Sequence, residues 1–396
     1  MYKLIRGESM KILLVIDQFF SANNGMTISA RRLYSKLVEH GNYVRIVSTG
    51  KTGDTEYLME KQYIPIFDKL VTAQGMTFAK ADDDILQNAV LWADIVHLLV
   101  PFGLSRHAIE ICQDNDVPYT AAFHCQAENV TSSLHLNKIK IANDFVYWWF
   151  NKYIYQYCPY IHCPSSFIAN ELRKHGYEAD IYVISNGIDS DFKYRKLSKK
   201  EKYKDKYIIL NVGRLSVEKR QDVLVEAVSL SKYKEKVQLM FAGQGPRKEY
   251  ILKLAKKLDV PVNINFYSKN DLIELISMSD LYVHPSDAEI EAISCMEAFA
   301  GGLVPIIANS TKSATIQFAL DERSLFEAGN PIELASKIDY WLENEQERKK
   351  MEIIYSNSSK RYDLDQCVSE IEKMFVDAIE KHRHIEEEQY EYGFAK

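Results

Sequence analysis

Tyr207-Ile208-Ile209-Leu210-Asn211-Val212-Gly213-Arg214-Leu215-Ser216-Val217-Glu218-Lys219 carries the architecture of this chain in one line. A short, nearly unbroken apolar run ending in glycine predicts a strand buried on both faces, as in parallel sheets. The polar loop behind it opens into a helical segment at 220–230. Strand, loop and helix make one unit of a doubly wound α/β sheet. Arg214 and Lys219 then fall at the carboxyl end of the strand, where such sheets receive ligands.

The pattern repeats outward. Downstream, strands are predicted at 238–242, 262–267, 280–284 and 304–308, with helices between them, and Asn330-Pro331 reads as a capped helix start. Upstream, a strand at 11–16 is followed by a polar loop at 21–25 and a helix at 27–40 stopped by Gly41. Further strands are predicted at 43–48, 95–99, 119–123, 161–164 and 181–185. Two such series in 396 residues predict two domains, 1–186 and 187–363, with a helix and tail at 364–396 crossing back to the first. Asn186 and Gly187 sit in a turn-forming stretch suited to a hinge. The acidic, Tyr-rich tail after His384 is expected to fray.

Composition narrows the class. With 46% hydrophobic and 26% charged residues the chain is globular, and a net charge of −6 argues against a nucleic-acid partner. No apolar run approaches the ~20 residues that span a bilayer. Residues 1–9 lack a signal core, and Met10 is a more natural start, so a cytoplasmic protein is expected. Six scattered cysteines form no CxxC pair and read as buried small hydrophobes.

The chemistry lies in two places. Arg214 and Lys219, beside a helix N-terminus, can neutralise a diphosphate without a metal. His284-Pro285-Ser286-Asp287-Ala288-Glu289-Ile290-Glu291-Ala292-Ile293-Ser294-Cys295-Met296-Glu297-Ala298 ends a second strand and opens a helix. With Glu289 in the loop and Glu297 in the helix, two carboxylates can face one cleft and accept hydroxyl hydrogen bonds, one from a sugar and one from a ribose. The backbone N–H groups of Ala292 and Ile293, at the helix start, are candidates for phosphate. Asp82-Asp83-Asp84 and Asp189-Ser190-Asp191 contain an Asp-x-Asp spacing, read here as polar loops with no metal or other cofactor expected.

The Glu-x7-Glu pair with Gly213-Arg214-Leu215 and Lys219 resembles the family 4 glycosyltransferases, retaining enzymes of the GT-B fold, over essentially the whole chain. Asn24-Gly25 is similar to that family's glycine-containing loop, and Asn186-Gly187-Ile188-Asp189 to its domain-joining segment. The resemblance implies two Rossmann-like domains facing a central cleft, closing on a nucleotide-sugar. It implies that Arg214 and Lys219 hold the diphosphate, that Glu297 holds the ribose and Glu289 the transferred sugar, and that Gly25 lets its loop approach the phosphates. It also implies that His124, after the strand at 119–123, stands beside the sugar. The expected reaction is a front-face displacement in which the leaving phosphate helps take the acceptor proton. The family commonly has Phe-Gly where this chain has Glu291-Ala292, which leaves donor choice open.

The expected donor is UDP-linked glucose or N-acetylglucosamine, and the acceptor a lipid or glycan. Aromatic and basic residues interleave at 135–160, around Phe145-Val146-Tyr147-Trp148-Trp149-Phe150, and residues 192–207 hold eight Lys or Arg against two acids. Both stretches suit peripheral contact with an anionic membrane at its inner face, and both also suit plain structural roles, as a buried helix and a solvated connector. Rival readings are a nucleotide-sugar epimerase, a non-catalytic sugar-nucleotide-binding subunit, and a nicotinamide oxidoreductase. The last lacks a Gly-x-Gly-x-x-Gly after the first strand, since Gly243-Gln244-Gly245 is incomplete and late.

Overall fold

The computed structural model describes residues 9–20, 25–63, 77–133 and 139–391. Residues 1–8, Asn24 with the loop at 21–24, and His135 and Lys138 of the aromatic-basic stretch lie outside the described residues. The chain forms two compact units: Met1–Val130 with Lys138–Asn186 and Asp365–Lys396, and Thr131–Asn137 with Gly187–Leu364.

The first unit is built on β1 (Lys11–Gln18), α1 (Gly25–Glu39), β2 (Tyr43–Thr49), β3 (Tyr57–Gln62), β4 (Phe78–Lys80), α2 (Asp83–Trp92), β5 (Ile95–Leu98), α3 (Gly103–Asp114) and β6 (Tyr119–Ala122). It continues through α4 (Ala127–Ser133), α5 (Lys140–Tyr153), β7 (Tyr160–Cys163), α6 (Ser166–Lys174) and β8 (Asp180–Val183). The sheet order is β4-β3-β2-β1-β5-β6-β7-β8, parallel except for the antiparallel pair β3–β4. Ile12 to Ile16 are fully buried, as a strand covered on both faces requires. Three expectations shift. The outer strands β3 and β4, of which β4 is the edge, were not anticipated, because a polar run such as Glu60-Lys61-Gln62 lacks the apolar signal of a central strand. Helix α1 starts at Gly25 rather than 27, since the Thr27 hydroxyl bonds the Gln18 carbonyl at 3.3 Å instead of capping a helix. The chain after His384 continues as helix to Glu391.

The second unit repeats the plan with β9 (Tyr207–Val212), α7 (Gln221–Leu230), β10 (Val237–Ala242), α8 (Lys248–Lys257), β11 (Val262–Asn265), α9 (Lys269–Met278), β12 (Leu281–His284) and β13 (Ala288–Glu289). It closes with α10 (Ile293–Ala300), β14 (Pro305–Asn309), β15 (Lys312–Ser313), β16 (Leu325–Glu327), α11 (Pro331–Glu343) and α12 (Glu345–Ser358). The main sheet runs β11-β10-β9-β12-β14-β16, all parallel. Asn330 caps α11, its side chain accepting from the N–H groups of Ile332 and Glu333 at 3.1 Å each. Strand order reverses between β9 and β12, the position at which an open α/β sheet leaves a crevice for ligand.

The last helix, α13 (Leu364–Glu391), belongs to the first unit from Asp365 onward. It buries Val368, Ile371, Met374, Phe375 and Ala378 there, with the Phe375 ring 5.1 Å from that of His97. Where the chain leaves and re-enters the second unit the two passes run side by side: Ile188 N–H bonds the Tyr362 carbonyl at 2.7 Å and Leu364 N–H the Ile188 carbonyl at 3.0 Å. A Cβ on Gly187 would lie 2.6 Å from Leu364 Cα, and its φ is +76°, so this crossing demands glycine.

Three lysines of the basic connector are paired within the second unit. Lys196 pairs with Glu352 at 3.1 Å, Lys199 with Asp280 at 2.7 Å and Lys200 with Glu274 at 3.0 Å. The Asp-x-Asp stretches are likewise engaged: Asp189 and Asp191 share Lys269, and Asp82 caps α2 through the Ile85 N–H.

Candidate functional site

Everything in the second unit's site hangs from the ends of β9 and β12. Gly213 to Arg220 form the loop between β9 and α7, and neighbours fix its backbone. Leu215 N–H bonds the Gln244 carbonyl at 2.9 Å, and the buried Gln221 amide bonds the Arg214 carbonyl at 3.0 Å. The Gly243-Gln244-Gly245 loop packs so closely here that a Cβ on Gly243 would lie 1.9 Å from the Gly213 carbonyl oxygen. Its glycines serve loop-on-loop contact, not a dinucleotide. Arg220, at φ +49°, ends the loop and pairs with Asp287 at 3.0 Å, which ties it to the loop after β12.

Two cations emerge from this frame. The Arg214 side chain is exposed and, among the described residues, has no hydrogen-bond or ion-pair partner. Lys219 turns inward and binds Glu289 Oε1. The same oxygen takes His284 Nε2 at 2.9 Å, and His284 Nδ1 meets the Tyr282 hydroxyl at 3.0 Å. Tyr282, His284 and Glu289 are all buried. Burial alone would push the Glu289 carboxyl up, but the Lys219 ammonium and the His284 hydrogen bond override it and hold the group well below the usual carboxylate range. It is an anion at any physiological pH.

Helix α10 begins beside this cluster. Its N-cap is Ala292, in the left-handed region at φ +68°, whose methyl side chain offers no cap to the first N–H groups. Glu297, on the next turn, is 6% exposed. Burial raises the Tyr282 hydroxyl well above its ordinary value, and the nearby Cys295 adds to it. Glu291 is 1% exposed.

In the first unit, the sheet's own reversal lies between β1 and β5. Gly25 opens α1 just after β1, and a Cβ there would meet nothing within 4 Å among the described residues. His124 follows β6 and is half-buried, its ring 5.5 Å from that of His162 and nearly perpendicular to it. Burial, with the adjacent His162, pushes its imidazole down to about 3, so it is neutral at physiological pH. Among the described residues no cluster of three or more His, Cys, Asp or Glu is arranged for a metal.

Several polar residues here escape a reading of the sequence. Tyr282 and His284 are two members of a four-residue apolar strand, and only their hydrogen bonds set them apart from core. Asp17 ends the apolar run of β1. Its Oδ1 accepts the Ala79 N–H at 2.8 Å, its Oδ2 has no partner among the described residues, and burial pushes it up to about 7. His162 shows only as one polar residue in a buried strand. A polar residue at the carboxyl end of an apolar strand is the signal that could have found Asp17.

Helix α5, within the aromatic stretch, has one buried and one exposed face. Tyr147 and Phe150 are buried, Tyr147 stacking on His175 with ring centroids 4.2 Å apart. The opposite face leaves Ile141 80%, Phe145 60% and Trp148 52% exposed, together with Trp149 and Lys152.

Comparison with known proteins extends over the same regions. Residues 23–192 match the family described as Glycosyltransferase Family 4, and residues 193–357 match Glycosyl transferases group 1. The chain is 24% identical over 321 residues to alpha-monoglucosyldiacylglycerol synthase of Streptococcus pneumoniae, covering 76% of this chain and 71% of that protein. A part of it, 39% of its length, is 50% identical to the solved catalytic domain of cholesterol-alpha-glucosyltransferase from Helicobacter pylori, covering 98% of that chain with a TM-score of 0.39. The Anabaena HepE structure in complex with UDP and glucose shares the fold at a TM-score of 0.70, with 16% identity over 93% of this chain and 100% of that one. That fold is GT-B.

Proposed function

Because this chain belongs to glycosyltransferase family 4 and is a hexosyltransferase, we propose that it moves glucose or N-acetylglucosamine from a UDP-linked donor to a lipid-borne acceptor, keeping the anomeric configuration. The carrying observation is the buried cluster at the β9–β12 reversal, where Lys219 meets Glu289 beside the start of α10, with Arg214 exposed on the loop after β9. Arg214 and Lys219 neutralise the diphosphate, assisted by the N–H groups of Ala292 and Ile293. Glu289 accepts hydroxyl hydrogen bonds from the sugar and Glu297 from the ribose diol. Gly25 admits the phosphates near its loop, and the neutral His124 serves a sugar hydroxyl. Asn186 and Gly187 act as the hinge.

The bond from the anomeric carbon to the phosphate oxygen breaks while the acceptor oxygen attacks from the same face. The acceptor proton passes to the departing phosphate, so charge is balanced without a metal. UDP as the carrier is supported by the bound ligands of HepE, and a lipid acceptor by the S. pneumoniae synthase. No helix among the described residues is long and apolar enough to cross a membrane. The exposed Ile141, Phe145 and Trp148 on α5, with Lys152 nearby, instead suit peripheral binding at the inner face of an anionic membrane. The paired lysines of the connector contribute less to it.

One experiment tests donor, acceptor and location together. The protein is floated with vesicles of anionic phospholipid containing diacylglycerol, in the presence of labelled UDP-glucose or UDP-N-acetylglucosamine and EDTA. The expected result is protein in the floated fraction and label in extracted lipid. Label that enters only water-soluble glycan, or an epimerised donor, would replace this reading.

A further inference from the structure

Resting on that donor site, we propose that His284 and Tyr282 are positioning residues: together they hold Glu289 by its Oε1 so that Oε2 is presented to the transferred sugar. Both protein contacts of the carboxylate, Lys219 Nζ and His284 Nε2, fall on Oε1. Oε2 has no hydrogen-bond partner among the described residues. The carboxylate is thus divided into a held oxygen and a working one.

With a neutral imidazole, the anionic Glu289 Oε1 requires the ring hydrogen on Nε2. His284 Nδ1, 3.0 Å from the Tyr282 hydroxyl, then accepts from it, and that hydroxyl in turn accepts from Ser294 Oγ at 3.3 Å. With Nδ1 an acceptor, the imidazole's hydrogen sits on Nε2 and points at Glu289. The tyrosine therefore selects the tautomer that can hold the acid. In the opposite tautomer an imidazole lone pair would face the carboxylate, and the contact would be repulsive.

The relay matters most once donor is bound. Lys219 is the cation assigned to the diphosphate, and turning toward phosphate weakens its hold on Glu289. His284 is then the remaining anchor of Oε1. Its loss should leave the resting protein folded and degrade the geometry of the loaded site, where orienting groups behind a first contact are commonly worth about 10- to 100-fold.

The test uses the full chain and two kinds of readout. Without donor, the 15N chemical shifts of the His284 ring are expected to report Nε2–H with an unprotonated Nδ1, and Y282F to mix the tautomers. An Nδ1–H ring in the wild-type protein would overturn the relay outright. With the donor turned over in the flotation assay, H284L is expected to lose at least 10-fold in kcat/KM at an unchanged Tm. H284Q, whose amide N–H reaches the Nε2 position, should recover most of that loss. Y282F should cost several-fold alone and nothing further in the H284Q background, since an amide has no tautomer to select. An E289Q variant separates the failures. If it keeps full activity, the donor-site reading falls and the relay with it. If it is inactive while H284L stays within twofold of wild type, the relay alone is wrong. Equal losses from Y282F in both backgrounds would reduce Tyr282 to simple packing and sink its part.

Discussion

Ala292 holds φ +68° and ψ 67° at the mouth of α10. Left-handed backbone costs a non-glycine residue about 1–2 kcal/mol, and strain of this kind concentrates where function fixes the geometry. A292G should relieve the strain, partly offset by about 0.5–1 kcal/mol of added chain freedom. The expected Tm is therefore equal to wild type or a few degrees above it. A292V, β-branched and hardest to place in this region, should lose roughly 2 kcal/mol or more. Thermal unfolding of both variants measures this, and an A292V protein as stable as wild type would show the residue unstrained.

Single residues were legible from sequence where a motif placed them at strand ends. Arg214 and Lys219 were expected after a strand and lie in the loop behind β9, and Glu289 and Glu297 were expected in a loop and the helix after it and lie in β13 and α10. His284 and Tyr282 were not legible, because in a short strand a buried tyrosine and histidine look like ordinary core until their partners are known.

At the level of elements, α13 is tied to the first unit by a titratable contact. His40, at the end of α1, reaches Glu372 at 2.8 Å and Asp365 at 3.2 Å, and Lys36 reaches Asp365 at 3.1 Å. Burial would lower the His40 imidazole, but the hydrogen bonds to Glu372 and Asp365 raise it above its usual value. The Asp365 carboxyl is lowered by those to His40 and Lys36. A raised histidine stabilises the fold fully below its unfolded pKa of about 6.5 and loses that contribution as pH rises through the folded value. The Tm advantage of wild type over H40Q should thus be largest between about pH 5.5 and 6.5 and shrink toward pH 8.5. An advantage that grows with pH would mean the contact works through neutral imidazole alone. Elements with strong apolar runs were visible in the sequence, whereas β3, β4, β13, β15 and β16 were not. They are short or peripheral, and pairing rather than composition makes them strands.

The whole molecule is two doubly wound units on one chain, each with a strand-order reversal near its candidate residues. The two-series pattern made this readable, since buried parallel strands carry the strongest local signal a sequence has. Less legible was the use of charge. Eight basic residues in one connector look like a surface patch until Glu352, Asp280 and Glu274 are seen taking Lys196, Lys199 and Lys200. Distant partners of that kind leave no trace in local spacing.

The central claim is that the β9–α7 cations grip a nucleoside diphosphate unaided by metal. Calorimetric titration of UDP and of GDP into the wild-type protein and an R214A/K219A double variant, both in EDTA, addresses it directly. The account predicts that at least one nucleotide binds the wild type and that its affinity falls about 100-fold or more in the double variant, as loss of two charge-assisted contacts implies. Equal affinity in the two proteins, or binding by neither until a divalent ion is added, would contradict it.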